Sequence, residues 1–289
     1  MSSNQNGVIR NFQNCSDLEF TSSLTKTEGW HSETLLELQS FFEHDPEGCF
    51  LYEVNGTPVG ICIATAYHQS GFIGELIVTK QFRDQGIGRA LIQAAILYLQ
   101  NKQIQAIFLD GVQKAIPLYE ELGFVPICRS LRFFGQIPAE ESPDVRSMNA
   151  EDLQEVFQLD KQTFGDDRSF FLNKRWQNYP DLALVWRQNQ QIAGYLFGRV
   201  GIGGWVTVGP WVNLIDQSDT LTLLSHFQAK IGNQPFSIGI LENRKSIIPQ
   251  IVMAGLQPRT DPPTRMMLGI GNNLGDNDHC FAIGSPAKG

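Results

Sequence analysis

The stretch Gly74-Glu75-Leu76-Ile77-Val78-Thr79-Lys80-Gln81-Phe82-Arg83-Asp84-Gln85-Gly86-Ile87-Gly88-Arg89-Ala90-Leu91 decides how this chain is read. It opens as an apolar strand ending near Val78, crosses a polar connector, and enters a helix around Gly86 to Gly88. Behind that start, Ile87, Ala90, Leu91, Ala94, Ala95 and Tyr98 recur at helical spacing and predict one buried face. A helix start leaves backbone N–H groups without partners, and the aligned peptide dipoles add partial positive charge there. Gly86 and Gly88 carry no Cβ, so a diphosphate can approach the backbone closely. Arg83 and Arg89 add positive charge. Asp84 adds a negative one, expected to face solvent or to pair with either arginine. The stretch from Arg83 to Ala90 therefore reads as an anion-binding turn.

Two other phosphate loops fit less well. A P-loop needs Lys and then Ser or Thr after its last glycine, and Arg89-Ala90 stand there. A dinucleotide fingerprint needs a third small residue where Leu91 stands. Its strand also runs almost directly into the first glycine, whereas seven residues separate Val78 from Gly86. Asp110 ends the next apolar segment, where a ribose-binding acid would lie, so a dinucleotide-binding oxidoreductase stays open as an alternative.

Outward from this stretch, the chain repeats itself. Val8-Ile9-Arg10 followed by Asp17-Leu18 has a counterpart in Asp144-Val145-Arg146 followed by Asp152-Leu153. Phe50 to Asn55 with Gly60 matches Leu184 to Asn189 with Gly194, both at an offset of 134 and both reading as strand, turn, strand. Gly123-Phe124-Val125-Pro126 matches Gly255-Leu256-Gln257-Pro258 at an offset of 132. Matches in one order at nearly one offset predict a duplicated domain. Pro138, Glu140, Glu141 and Pro143 punctuate a polar stretch between the copies. The expected division is 1–137, a linker over 138–145, and 146–289. Each half reads as a mixed α/β domain.

The composition sets bounds. Of 289 residues, 42% are apolar and 18% charged, enough for a sizeable core. A net charge of −8 argues against a general nucleic-acid partner. Five dispersed cysteines with no CxxC pair suggest reduced thiols and neither a disulfide framework nor a metal site. The polar start, Met1 to Gly7, and the lack of a membrane-length apolar run predict a cytoplasmic protein without a membrane partner.

Arg-x-x-Gly-x-Gly at Arg83, Gly86 and Gly88, after an apolar strand, resembles the acetyl-CoA pyrophosphate loop of the GNAT N-acetyltransferase superfamily. Leu118-Tyr119-Glu120-Glu121-Leu122-Gly123-Phe124 resembles that superfamily's next helix and turn. Gly29-Trp30, Asp45 to Phe50, Phe164 to Arg168, Gly209 to Val212 and Phe281-Ala282-Ile283 are similar to bacterial proteins with a second acetyltransferase-like domain. The resemblance implies tandem GNAT-like domains, each a mixed, mostly antiparallel sheet flanked by helices. It implies acetyl-CoA as acyl donor, an amine of a small molecule or protein as acceptor, and direct transfer.

By the same resemblance, the backbone of Ile77 and Val78 bonds the pantetheine arm. Arg83, Asp84, Gln85, Gly86, Ile87, Gly88, Arg89 and Ala90 wrap the pyrophosphate. Tyr119 takes the place of the acid that protonates the departing thiolate, which suits a leaving thiol of pKa about 8.5. Glu75 is the candidate base, with His31 and Tyr67 behind it. It departs from the narrower group, which more often has an apolar residue there. Val112 stands where many GNAT domains carry asparagine. Homodimers are common in the superfamily, so a homodimer is carried as an expectation. A ping-pong nucleophile has little support, because Cys62 and Cys128 lack an adjacent histidine.

In the second half the offset carries Arg83 to Gly88 onto Gln217-Ser218-Asp219-Thr220-Leu221-Thr222, without either glycine or the arginine. Position 119 falls on Met253 or Ile251. The second domain is therefore expected to shape the acceptor pocket or pair the domains, not to catalyse. Asp166, Asp167 and Arg168 read as an exposed helix start, with binding of a polar substrate as the alternative, and Gly201 to Gly204 read as a hairpin turn. A non-catalytic acyl-CoA sensor is the other function consistent with these features.

Overall fold

A computed structural model describes residues 7–214, 220–271, 274 and 277–289. The first half runs β1 (Gly7–Asn11), α1 (Cys15–Thr27), α2 (Leu35–His44), β2 (Cys49–Val54), β3 (Thr57–Ala66), β4 (Ser70–Val78), α3 (Ile87–Asn101), β5 (Ala106–Gly111), α4 (Ile116–Glu121) and β6 (Val125–Gly135). The second half runs β7 (Val145–Ser147), α5 (Leu153–Phe164), α6 (Ser169–Asn178), β8 (Ala183–Gln188), β9 (Gln191–Val200), β10 (Val206–Asn213), α7 (Thr222–Ile231), β11 (Phe236–Leu241), α8 (Ile248–Ala254), β12 (Gln257–Pro258), β13 (Thr264–Gly269) and β14 (Cys280–Ala282).

The repetition read from the sequence is physical. β2 and β3 correspond to β8 and β9 residue for residue at the offset of 134. Arg10 donates two hydrogen bonds of 2.8 Å to the Asp17 carboxylate, which also accepts from the Gln13 N–H. Arg146 makes the same fork to Asp152 at 2.7 Å, and the Asn149 N–H takes the place of Gln13. Each fork ties a first strand to a helix start, where the dipole favours the carboxylate.

The two copies share one sheet of order β1-β2-β3-β4-β5-β13-β6-β11-β10-β9-β8-β7. The join is a strand exchange. β13, late in the chain, inserts between β5 and β6 of the first half. β6 continues past it, and its Ser130 to Gly135 pair antiparallel with β11 of the second half. Arg265 on β13 and Arg132 on β6 both bond the buried Asp110 side chain on β5, so the exchange is also fastened by charge.

On α3 the buried set is Ile87, Leu91, Ile92, Ala95, Ile96 and Leu99. The face is turned from the expected one: Ala90, Ala94 and Tyr98 lie at its half-buried margin. The Tyr98 hydroxyl reaches the Asp45 carboxylate, so its polar end must stay at the edge.

Asp166 and Arg168 correct the expectation of an exposed helix start. Asp166 is buried and accepts from the N–H groups of His68, Gln69 and Ser70 and from the Ser70 hydroxyl, closing the β3–β4 turn of the other half. Arg168 is buried against Asp160 at 2.8 Å. Asp167 stays on the surface and caps Ser169. Gly201 to Gly204 form the turn between β9 and β10, as expected. Among the described residues no helix is long and apolar enough to cross a membrane.

Candidate active site

β4 and β5 run parallel only from Ser70 to Phe72 against Ala106 to Phe108. Beyond that they part, although β4 extends to Val78 and β5 to Gly111. A bulge drives the separation. Between the pairs Ile61–Ile77 and Ile63–Gly74, β4 carries one residue more than β3. The surplus falls at Glu75 and Leu76, and Glu75 takes the left-handed φ of 52°. Such a bulge bends its strand and re-aims the side chain. It opens a cleft at the strand ends and points Glu75 into a cavity of about 270 Å3.

Tyr119, from α4, lines the same cavity. Its ring lies against Gly111, where an added Cβ would stand 2.9 Å from Tyr119 Cδ2, and meets Phe124 edge-on at 6.1 Å. Burial pushes its phenol far above the usual range, so the proton stays on the oxygen at neutral pH. Glu75 is also buried. Desolvation first, then the Glu33 charge, raises its carboxyl well above the usual range, against the pull of Lys288 and Arg199. Its Oε2 has no hydrogen-bond partner. A carboxylate so placed is a stronger proton acceptor than an exposed one.

The expected phosphate loop follows β4 into α3. Gly86 caps α3 at φ 81°, with no side-chain cap, and a Cβ added there meets nothing within 4 Å. The opening N–H groups of α3 therefore face open space, which suits a diphosphate. Ile77 and Val78 end β4 beside it. Arg83 ties the connector down, donating Nε to the Val78 carbonyl at 2.9 Å and pairing with Glu28. Arg89 pairs with Glu121. Asp84 and Gln85 are exposed, Ile87 is buried and Ala90 half-buried. Of the alternatives for Asp84, it faces solvent rather than an arginine.

Not every candidate is brought in. His31 lines the cavity and leans on Trp205, with ring centroids 5.5 Å apart. Tyr67 does not line it, and its hydroxyl is committed to the Lys288 carbonyl at 2.7 Å. Asp110, the ribose acid of the dinucleotide reading, has both oxygens engaged by Arg265, Ser130 and Arg132. Glu33, on the loop between α1 and α2, and Arg199, on β9, line the cavity and were not singled out in the sequence. Only their apposition marks them.

The second half repeats the bulge and closes the cleft. β10 and β11 pair in parallel from Val206 to Val208, and β10 then carries a surplus residue between Val208 and Trp211. Into the resulting gap the chain inserts β14, which pairs with Trp211 and Val212. The Ile283 N–H then bonds the Gly239 carbonyl of β11 at 3.0 Å. The helix matching α4 is α8, whose Pro249 sits as Pro117 does, so Ile251 stands for Tyr119 and is buried in the core; Met253 is 85% exposed. The counterparts Gln217, Ser218 and Asp219 of the phosphate loop lie outside the described residues.

Comparison with known proteins agrees with this geometry. The acetyltransferase (GNAT) family profile matches residues 15–124, and a GNAT domain profile matches residues 156–282. The chain is 31% identical over 130 residues to N-alpha-acetyltransferase 30 of Dictyostelium discoideum, covering 43% of this chain and 70% of that one. It is 24% identical over 222 residues to the uncharacterized N-acetyltransferase YitH of Bacillus subtilis, covering 75% and 76%. A solved Pyrococcus horikoshii protein, whose acetyltransferase activity is itself an assignment, superposes over 98% of this chain and 96% of its own, with a TM-score of 0.80 at 23% identity. With two such domains in one mixed sheet, this chain belongs to the GNAT family and is an acyl-CoA-dependent N-acetyltransferase.

Proposed function

We propose that the first half, residues 1–137, holds acetyl-CoA and transfers its acetyl group directly to the amine of an acceptor bound in the cavity. The second half, 146–289, follows a connector over 138–145 and completes the acceptor pocket. The observation that carries this is that buried Glu75 and Tyr119 line one cavity where β4 and β5 part.

Bound acetyl-CoA supplies a thioester carbonyl as electrophile. The N–H groups at the start of α3, from Gly86 to Arg89, hold its pyrophosphate, with Arg83, Asp84 and Gln85 shaping the connector and the Ala90 N–H closing the first turn on the Gly86 carbonyl. The free backbone edge of Ile77 and Val78 orients its pantetheine arm. An acceptor arrives as ammonium, with pKa about 10.4 if lysine-like, and must lose a proton before attack. Glu75 takes that proton on Oε2, and its raised affinity suits the task. Tyr119 gives its phenolic proton to the departing sulfur, and the second proton shed by the attacking nitrogen as the amide forms restores the phenol. Cys62 and Cys128 are absent from the cavity lining, and burial raises both thiols, which supports direct transfer over a covalent route. The five cysteines are free, as suits a reducing cytoplasm.

Thermal unfolding with acetyl-CoA, CoA and NADH tests the donor site. A ligand at 100 times its dissociation constant stabilises by about 2.7 kcal/mol. Both CoA species are expected to raise Tm by several degrees and NADH to leave it unchanged. Gly88→Asp is expected to abolish the CoA shift by bulk and charge. No shift in the wild-type protein would overturn the reading.

A further inference from the structure

The cavity holds more buried polarity than acetyl transfer needs. Six of its lining residues have a buried side-chain atom with no protein partner: Glu33 Oε2, Glu75 Oε2, Arg199 Nε, Thr207 Oγ1, Ser237 Oγ and Ser285 Oγ. An unpaired buried polar atom costs about 1–3 kcal/mol, so six such atoms on the lining residues of one cavity are groups that a bound polar ligand would satisfy.

The set is divided by chemistry and by origin. Glu33 and Glu75 belong to the first half and present carboxylate oxygens. Arg199, Thr207, Ser237 and Ser285 come from β9, β10, β11 and the segment after β14, all in the second half. Arg199 is held in place by the Gly284 carbonyl at 2.8 Å and by Glu33 at 3.4 Å, which leaves Nε to donate. Three hydroxyls that both donate and accept, beside one donating Nε, match a ligand whose own groups both donate and accept. A hydroxyl does both from a single atom. Two carboxylate oxygens match an ammonium, which has three N–H donors.

We infer that the acceptor is a small hydroxylated primary amine of the amino-alcohol or aminosugar class, its ammonium between Glu33 and Glu75 and its hydroxyls on the second half. This rests on the proposed transferase reading and deepens it. The cavity volume, just below the usual range for ligand pockets, suits a small acceptor. The second half thereby keeps a role in the reaction without a donor site of its own.

The test uses the full chain with acetyl-CoA and measures thiol release for four probes: D-glucosamine, 2-amino-1,3-propanediol, n-butylamine and an alanine-terminated tetrapeptide. Saturation-transfer NMR of D-glucosamine with the CoA-bound protein reads binding without turnover. A site built for hydroxyls rejects an analogue lacking them strongly. The hydroxylated amines are expected to exceed n-butylamine and the peptide by at least about 100-fold in kcat/KM. Ser237→Ala and Thr207→Val are each expected to raise the KM of the better hydroxylated amine about 10-fold, with the CoA dissociation constant unchanged. Equal or better turnover of n-butylamine or the peptide overturns the inference and leaves the transferase reading standing. CoA binding with neither turnover nor NMR contact for the hydroxylated amines also overturns it. Loss of the CoA thermal shift itself would instead sink the transferase reading.

Discussion

Glu75 and Gly209 occupy the same place in the two halves. They are 134 residues apart, each lies in the bulge of its strand, and each has positive φ, 52° and 137°. Glu75 points a carboxylate into the cavity. Gly209 can carry no side chain, because a Cβ there would stand 2.0 Å from the Ile283 carbonyl. One bulge turns a carboxylate into the cavity, and the other makes room for the chain's own β14.

Glu75→Gln separates the cost of this carboxylate from its use. A carboxyl whose folded pKa is raised binds protons more tightly in the folded state, so stability falls as pH rises through the interval above its unfolded value of about 4.3. The variant is expected to have a higher Tm than wild type on the alkaline side of that interval. Its acetyl transfer is expected to fall about 10²–10⁴-fold. In the wild-type protein, kcat/KM should rise with pH as Glu75 loses its proton. A variant with unchanged turnover would remove Glu75 as the base.

Tyr119→Phe keeps the ring that packs on Gly111 and Phe124 and removes only the acid. Fold and CoA affinity are expected to persist, while turnover with a thioester donor falls by at least about tenfold. Stopped-flow thiol release checks this, and wild-type rates would exclude the phenol from the mechanism.

Cofactor stoichiometry follows from β14. Because that strand pairs with Trp211 and Val212 where the first half leaves its cleft open, calorimetric titration is expected to count one CoA per chain. A count of two would refute the idea that the second cleft is closed.

Glu37 secures the interface between halves. Its Oε2 lies 2.8 Å from both Arg175 Nη2 and Lys288 Nζ, all three groups being buried. Burial opposes its charge, but the cations win and hold the carboxyl far below its usual range. Glu37→Ala leaves two buried cations uncompensated and is expected to destabilise the protein by about 3–5 kcal/mol in denaturant unfolding. The wild-type contribution is present above the usual carboxylate pKa and is lost as pH falls toward the depressed folded value. A loss under 1 kcal/mol would show that the network adds little.

The order of local elements was legible in the residues themselves. The offset of 134 in β2–β3 and β8–β9, the glycine start of α3, Tyr119 on its short helix and the loss of that tyrosine in the second half all depend on neighbours within a few positions; the choice of Ile251 over Met253 as its counterpart came from the structure. Helical spacing, strand alternation and glycine placement report such short-range forces directly. Other features were decided only in three dimensions. Arg132 pairs with Gly239, Arg265 meets Asp110, Asp166 caps a turn at His68 to Ser70, and Glu33 faces Arg199. These partners are about a hundred residues apart or more, and no local pattern selects one distant edge or charge over another. Exchange of β6 and β13, closure of the second cleft by β14 and assembly of the cavity lined by both halves therefore arise from the packing of the two halves, where sheet edges and buried charges find their partners only together.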